Sequence, residues 1–238
     1  ASSTQQRVSI CVLPFSNMSG DLEQEYFSDG ITEDIITDLS KVSALAVVSR
    51  NTAFTFKGKN VDLPQVARQL KVNYVLEGSV RRAGGRVRIT AQLIEASSDN
   101  HLWAERYDRD LNDIFALQDE ISEAIVTALK LKLLPEEKKA IEQRGTTNLQ
   151  AYNLYLMARQ RYATGQMSDS RRSDTVIRLC RGAIELDPNY ARAWALMATA
   201  QRHRMYATGK GDNGSAAAAR AIELDANLAE AHAAKAGV

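Results

Sequence analysis

The segment Ala183-Ile-Glu-Leu-Asp187 returns 38 residues later as Ala221-Ile-Glu-Leu-Asp225. Each copy leads into an asparagine (Asn189, Asn227) and then into Ala-x-Ala, Ala191-Arg-Ala193 and Ala229-Glu-Ala231. An Ala-rich repeat with apolar residues at helical spacing is a helix–turn–helix unit that cannot bury its apolar stripe alone and must stack on its neighbours. Everything after Asn148 is therefore expected to be an all-α array. Ala183, Ala198 and Ala221 are small enough to sit where helices cross closely, and Tyr152 and Trp194 to fill the gaps beside them. Pro188 cannot continue a helix, so one helix should end before it and the next begin at Asn189-Tyr190.

These segments look like tetratricopeptide repeats, whose period is about 34 residues. The surplus is placed in the glycine-rich stretch Gly209–Gly214. The first copy, Leu149–Leu186, diverges and carries a polar stretch over Gly165–Ser173, and the third stops after half a helix. The resemblance implies a concave face that holds an extended or helical peptide. By register with Trp194, its groove positions are Arg192, Ala195, Thr199, Arg202 and His203, preceded in the first repeat by Asn153, Met157, Gln160 and Arg161. Cationic donors of this kind suit an acidic peptide or a C-terminal carboxylate. The competing reading is an ordinary charged solenoid surface.

Ahead of the repeats the pattern changes. Val8–Phe15 is an apolar run closed by Pro14, read as a buried strand. From Glu23 to Val42 the spacing is helical, with Phe27, Ile31, Ile35, Ile36 and Leu39 on one face and Asp29, Glu33, Asp34 and Asp38 on the other. Leu45–Ser49 reads as a strand, 51–59 as a polar connection, and Asp62–Leu70 as a helix opened by Asp62 and Pro64. Two alternating runs, Tyr74–Arg82 and Arg86–Glu95, flank Gly84-Gly85 and signal a hairpin. His101–Tyr107 adds a third antiparallel strand, and Asp113–Leu134 a long amphipathic helix. The order β-α-β-α-β-β-β-α predicts an α/β domain with a mixed sheet over residues 7–135, then 136–147 as linker or helix extension, then repeats over 148–238.

Little here suggests catalysis. His101, His203 and His232 fall in three separate segments, and no phosphate loop or nucleophile elbow is present. No cofactor or metal is expected. The four acids of the first helix read either as a carboxylate metal cluster or, preferably, as a solvated face with acids near a helix N-terminus. Arg81, Arg82, Arg86 and Arg88 form a basic hairpin that serves solubility and blocks edge pairing, or touches an anion; nucleic-acid binding is not expected. Thirty basic and twenty-nine acidic residues leave a net charge of +1, which asks for no polyanionic partner. Trp103 is expected in the core rather than as a ligand platform, and Cys11 and Cys180 as two buried free thiols. No run approaches the ~20 apolar residues of a membrane span. The polar start and the end inside a helical pattern are expected of a segment of a longer protein.

Four strings carry a second resemblance: Phe27-Ser-Asp-Gly-Ile-Thr-Glu33, Tyr74-Val-Leu-Glu-Gly-Ser-Val-Arg81, Arg88-Ile-Thr-Ala-Gln-Leu-Ile94 and His101-Leu-Trp-Ala-Glu-Arg-Tyr107. Together they resemble the α/β domain related to the TolB amino-terminal domain and the FlgO-like lipoproteins. In bacterial signalling proteins that domain precedes tetratricopeptide repeats and follows a class III nucleotide cyclase or a winged-helix DNA-binding domain. The resemblance implies a non-catalytic sensory or protein-interaction region, first of a class III adenylate cyclase. The alternatives are a membrane-anchored winged-helix regulator and an envelope assembly scaffold. A membrane anchor would lie outside these residues, making the region periplasmic if a transmembrane helix precedes it and cytoplasmic otherwise. The partner is a protein or peptide in the repeat groove, with a homodimer left open.

Overall fold

A computed structural model describes residues 7–59, 61–143, 145–164 and 169–237. The chain divides into two compact units, residues 1–143 and 144–238.

The front unit is mixed α/β. Its strands are β1 (Val8–Val12), β2 (Ser16–Asn17), β3 (Leu45–Val47), β4 (Tyr74–Ala83), β5 (Arg86–Glu95) and β6 (Asn100–Asp110). They form one sheet in the order β3-β1-β4-β5-β6, with β2 also pairing with β4. β1 runs parallel to β3 and β4, and β4-β5-β6 is an antiparallel meander. Ile10, Cys11 and Val12 are all fully buried, because a parallel strand covered on both faces has no solvent side. The helices are α1 (Glu25–Ser40), α2 (Arg50–Ala53), α3 (Leu63–Leu70), α4 (Ile114–Ala128) and α5 (Pro135–Glu142). α1 and α4 pack against each other, and α4 lies against β5 and β6. Cys11 and Val75 pack with Val66 and Ala67 of α3 on the sheet's other face. Burying Phe27, Ile31, Ile35 and Leu39 of α1 contributes about 1.5–3 kcal/mol for each side chain.

The first strand is shorter than its apolar run because Pro14 breaks the ladder, after which the chain bends into β2. Phe15 is held there by its N–H, which donates to Thr32 Oγ1 at 3.0 Å. Its ring lies against Gly78 of β4, where a Cβ would come within 2.8 Å of the ring and 2.5 Å of Thr90 O. The polar connection over 51–59 is instead α2 and a 3-10 turn at Phe54–Phe56, capped by Ser49, whose side chain accepts from Thr52 N.

Three further expectations are corrected. The helix expected to run to Leu134 ends at Ala128, because Lys130 takes a left-handed φ of 55° and Leu131 N closes the end on Val126 O at 3.1 Å. The interval read as linker or extension begins with a separate helix of the front unit, α5. Its Glu137 is buried and accepts from Leu134 N at 3.0 Å and from Ser43 N at 2.8 Å, which ties α5 to the loop after α1. Trp103 is only half-buried, its ring 6.5 Å from that of Tyr107, because β6 is the edge of the sheet.

The second unit comprises α6 (Leu149–Thr164), α7 (Ser170–Leu186), α8 (Ala191–Thr208), α9 (Ser215–Leu224) and α10 (Ala229–Ala236). Each helix packs on the next, and α8 also touches both α6 and α10. Residues 165–168, in the expected polar stretch between the first two helices, lie outside the described residues. The 38-residue repeat is visible atom by atom. Asp187 and Asp225 end their helices with φ −145° and ψ 93° and 97°, and each carboxylate accepts from the asparagine N–H two residues on at 3.0 Å. Trp194 Nε1 donates to Pro188 O at 3.0 Å, and His232 Nε2 lies 2.7 Å from Ala226 O, the same pair one repeat later. Ala183 and Ala221 are fully buried, and Cys180, like Cys11, is a buried free thiol.

Gly214, at the start of α9, has a φ of 87°, and a Cβ on it would lie 2.3 Å from Ala198 O. Gly214→Ala is expected to destabilise this unit by about 1–3 kcal/mol, read as a lower urea midpoint by far-ultraviolet circular dichroism. An unchanged midpoint would show that α8 and α9 do not cross this closely.

Candidate functional site

The groove positions read from the sequence lie on α6 and α8, and the structure treats them unequally. Met157 is 39% exposed and Arg161 is exposed, whereas Asn153 and Gln160 are half-buried. On α8, Arg192, Thr199, Arg202 and His203 are half-buried. Ala195 is not a groove residue. It is 1% exposed and packs with Ala191, Ala221, Leu228 and Ala231, because α9 and α10 cover that side of α8. Thr199 turns its hydroxyl back to Ala195 O at 3.1 Å, a bond within its own helix.

A polar stack links the two helices. His203 lies parallel to the Tyr162 ring, centroids 5.7 Å apart and planes 10° apart. Arg172 of α7, itself buried, sets its guanidinium 4.9 Å from the same ring and donates Nε to Arg161 O at 3.1 Å. Burial lowers the His203 pKa, and the neighbouring charges of Arg202 and Arg172 lower it further. Beyond this stack, Arg202 lines a cleft of about 320 Å³ with Met205, Tyr206, Asn213 and Gly237. Tyr206 is 78% exposed, a large aromatic surface beside a cation. Met205 and Tyr206 lie in the helical turn after His203, the last position read from the register, and Asn213 lies beyond α8; their signal in the sequence was an aromatic close to the glycine-rich insertion.

The four acids of α1 are neither a solvated face nor a metal cluster. Asp29, Glu33, Asp34 and Asp38 are all buried. Lys57 pairs with Asp29 at 2.6 Å and Glu25 at 2.8 Å, Arg50 with Glu33, and Lys41 with Asp38 at 2.8 Å, while Gln118 Nε2 donates to Asp34 at 2.9 Å. Among the described residues no three His, Cys, Asp or Glu side chains converge to hold a metal. Burial lifts the Asp29 carboxyl above its ordinary range, and its bond to Lys57 opposes that shift.

On the basic hairpin, Arg86 and Arg88 both close on Asp108, at 2.8 and 2.5 Å. These bonds pull the Asp108 carboxyl down to about 2. Arg82 donates to Tyr26 Oη at 3.2 Å, so the hairpin's positive charge is largely engaged within the unit. A second cleft, of about 580 Å³, opens on the sheet between Leu13, Phe56, Val61, Glu77, Ser79 and Gln92.

Comparison with known proteins places these units in context. Residues 5–124 match the family described as HilA/YgeH-like transcriptional regulator, second domain. Over 187 residues, 79% of this chain, the sequence is 53% identical to "Putative adenylate cyclase 3" of Rhizobium meliloti (strain 1021). The chain spans 31% of the length of that relative. Among solved structures, TolB from Acinetobacter baumannii matches with a TM-score of 0.40 and 18% identity, covering 52% of this chain and 28% of TolB. Lipoprotein GNA1162 from Neisseria meningitidis matches with a TM-score of 0.39 and 21% identity, covering 53% and 99%.

The lowered pKa of His203 couples folding to pH. The unfolded chain takes up a proton near the ordinary histidine value of 6.5, and the folded chain only at lower pH. The imidazole therefore contributes no pH dependence well above that value and costs stability as pH falls below it. Thermal unfolding at about pH 7 and about pH 5 is expected to show a smaller acid loss for His203→Gln than for the parent chain. Equal losses would show that the stack does not hold the imidazole neutral.

Proposed function

Because the chain belongs to the HilA/YgeH-like transcriptional regulator second-domain family, we propose that it is the non-catalytic, protein-binding regulatory region of a bacterial signal-transduction protein whose effector is a class III adenylate cyclase. The observation that carries this reading is the 53% identity to a protein named as an adenylate cyclase, of which the chain spans only 31%. The larger part of such a parent is then left for the catalytic domain. The matched 187 residues exceed the front unit, so the likeness takes in part of the helical unit as well.

Helices α6–α10 are read as tetratricopeptide repeats. Support comes from the paired Asp187/Asp225 helix ends and the Trp194/His232 bonds 38 residues apart. Their role is to hold an acidic peptide or a C-terminal carboxylate along Met157, Arg161, Arg192, Arg202 and the Tyr206 cleft. The family's description favours a second reading, in which the same region follows a winged-helix domain and regulates transcription.

Two measurements test this. The chain alone, given ATP and a divalent cation, is expected to make no cyclic nucleotide, whereas the complete protein that contains it makes cyclic AMP. Product from the chain alone would overturn the non-catalytic reading, and a complete protein without cyclase activity would sink the assignment of the effector. In the groove, Arg192→Glu/Arg202→Glu is expected to weaken binding of acidic C-terminal peptides by about tenfold or more. Unchanged affinity by fluorescence anisotropy would remove the groove from the reading.

A further inference from the structure

β6 ends the sheet, and β5 is its only strand partner among the described residues. A long edge strand is a template for another chain unless something blunts it. Half of β6 is blunted. Its register with β5 shifts between Leu93/Trp103 and Ile94/His101, leaving Leu102 as the extra residue of a bulge that bends the strand. From Trp103 to Asp110 the pairing is regular, Leu93↔Trp103 through Arg86↔Asp110.

The charges of this regular half are ordered Glu105-Arg106-Tyr107-Asp108-Arg109. In a symmetric antiparallel pair each side chain meets one on the same face of the sheet, so the two-fold axis must pass through a residue. An axis at Glu105, Arg106, Asp108, Arg109 or Asp110 sets like charges opposite each other. An axis at Trp103 or Ala104 runs the ladder through the bulge. An axis at Tyr107 does neither: Arg106 meets Asp108, and Glu105 meets Arg109, each twice. Cross-strand pairs of opposite charge stabilise a ladder and like charges oppose it, so the pattern that discourages promiscuous pairing selects one register.

The groups are already held in place. Asp108 is fixed by Arg86 and Arg88, Arg109 reaches Glu120 at 3.2 Å, and Glu105 accepts from Tyr107 Oη at 2.9 Å. Arg106 is exposed and makes no ion pair among the described residues. A carboxylate has lone pairs for more than two donors, so Asp108 can receive a third arginine.

We propose that two copies of this chain join through β6, Ala104–Asp110 pairing antiparallel with its own counterpart about an axis at Tyr107. The two sheets become one continuous sheet, and the Arg106–Asp108 pair recurs on either side of the axis.

Light scattering and sedimentation of the whole chain at low ionic strength test this. The parent chain is expected to be a dimer. Arg106→Asp and Asp108→Arg, each alone, set like charges opposite one another twice and are expected to weaken dimerisation by about tenfold or more. An equimolar mixture of the two variants restores complementary pairs, and differently tagged chains then co-purify as heterodimers. A monomeric parent, dimers indifferent to both changes, or no heterodimer in the mixture would each overturn the proposal. If Asp108→Arg does not fold by circular dichroism, Arg106→Cys mixed with Asp108→Cys replaces it. Oxidation should then link the two variants to each other in preference to themselves, and self-linked products alone would overturn the register.

Discussion

Helix α1 is buried along most of its length, and the front unit is arranged to satisfy its carboxylates. A buried acid is tolerable only when paired or hydrogen-bonded, because the cost of removing it from water exceeds the worth of the helix it sits on. Each of the four acids is met by a donor from a different segment: Lys57 beyond the 3-10 turn, Arg50 at the start of α2, Lys41 after α1 itself and Gln118 from the middle of α4. The segment between β3 and α3 thus carries two of the partners, which accounts for a short helix and turn where sequence composition suggests only a polar loop. The carboxylates, beside the apolar stripe, tie the start of α2 and the middle of α4 to α1.

The helical unit follows a different rule. Its helices meet through small side chains, Ala183, Ala198 and Ala221, with Gly214 touching the backbone of α8. Such close crossings leave little side-chain volume to set the spacing, so the loops do it. The Asp187 and Asp225 caps, with the ring bonds of Trp194 and His232, set the same turn twice. Tyr162 bridges the next layer, holding His203 and Arg172 against its ring. Binding on this face would use a framework already ordered by packing, with Met157, Arg161, Arg202 and Tyr206 as the groups left reachable.

Much of this was legible in the residues. The Gly84-Gly85 turn with its two alternating runs set β4 and β5 to within a residue, because period-2 alternation and a positive-φ turn are local properties. The repeat was legible for the same reason: identical sequence 38 residues apart makes identical caps. The end of α4 was not legible, since Lys130 adopts a left-handed conformation without a glycine to announce it. Ala195 was misplaced because a helical register locates a face but cannot say which neighbour covers it.

The sequence by itself determined the two kinds of architecture, the order of the longer elements and the absence of recognisable catalytic motifs, all of which rest on short-range periodicity and turn chemistry. Only the tertiary structure decided the fate of the charges. One row of acids on α1, read in the sequence as a solvated face, became a buried, paired ladder, and the charges of β6 were left at an open edge. Desolvation is a property of what surrounds a side chain, and segments far apart in the chain supply that surrounding.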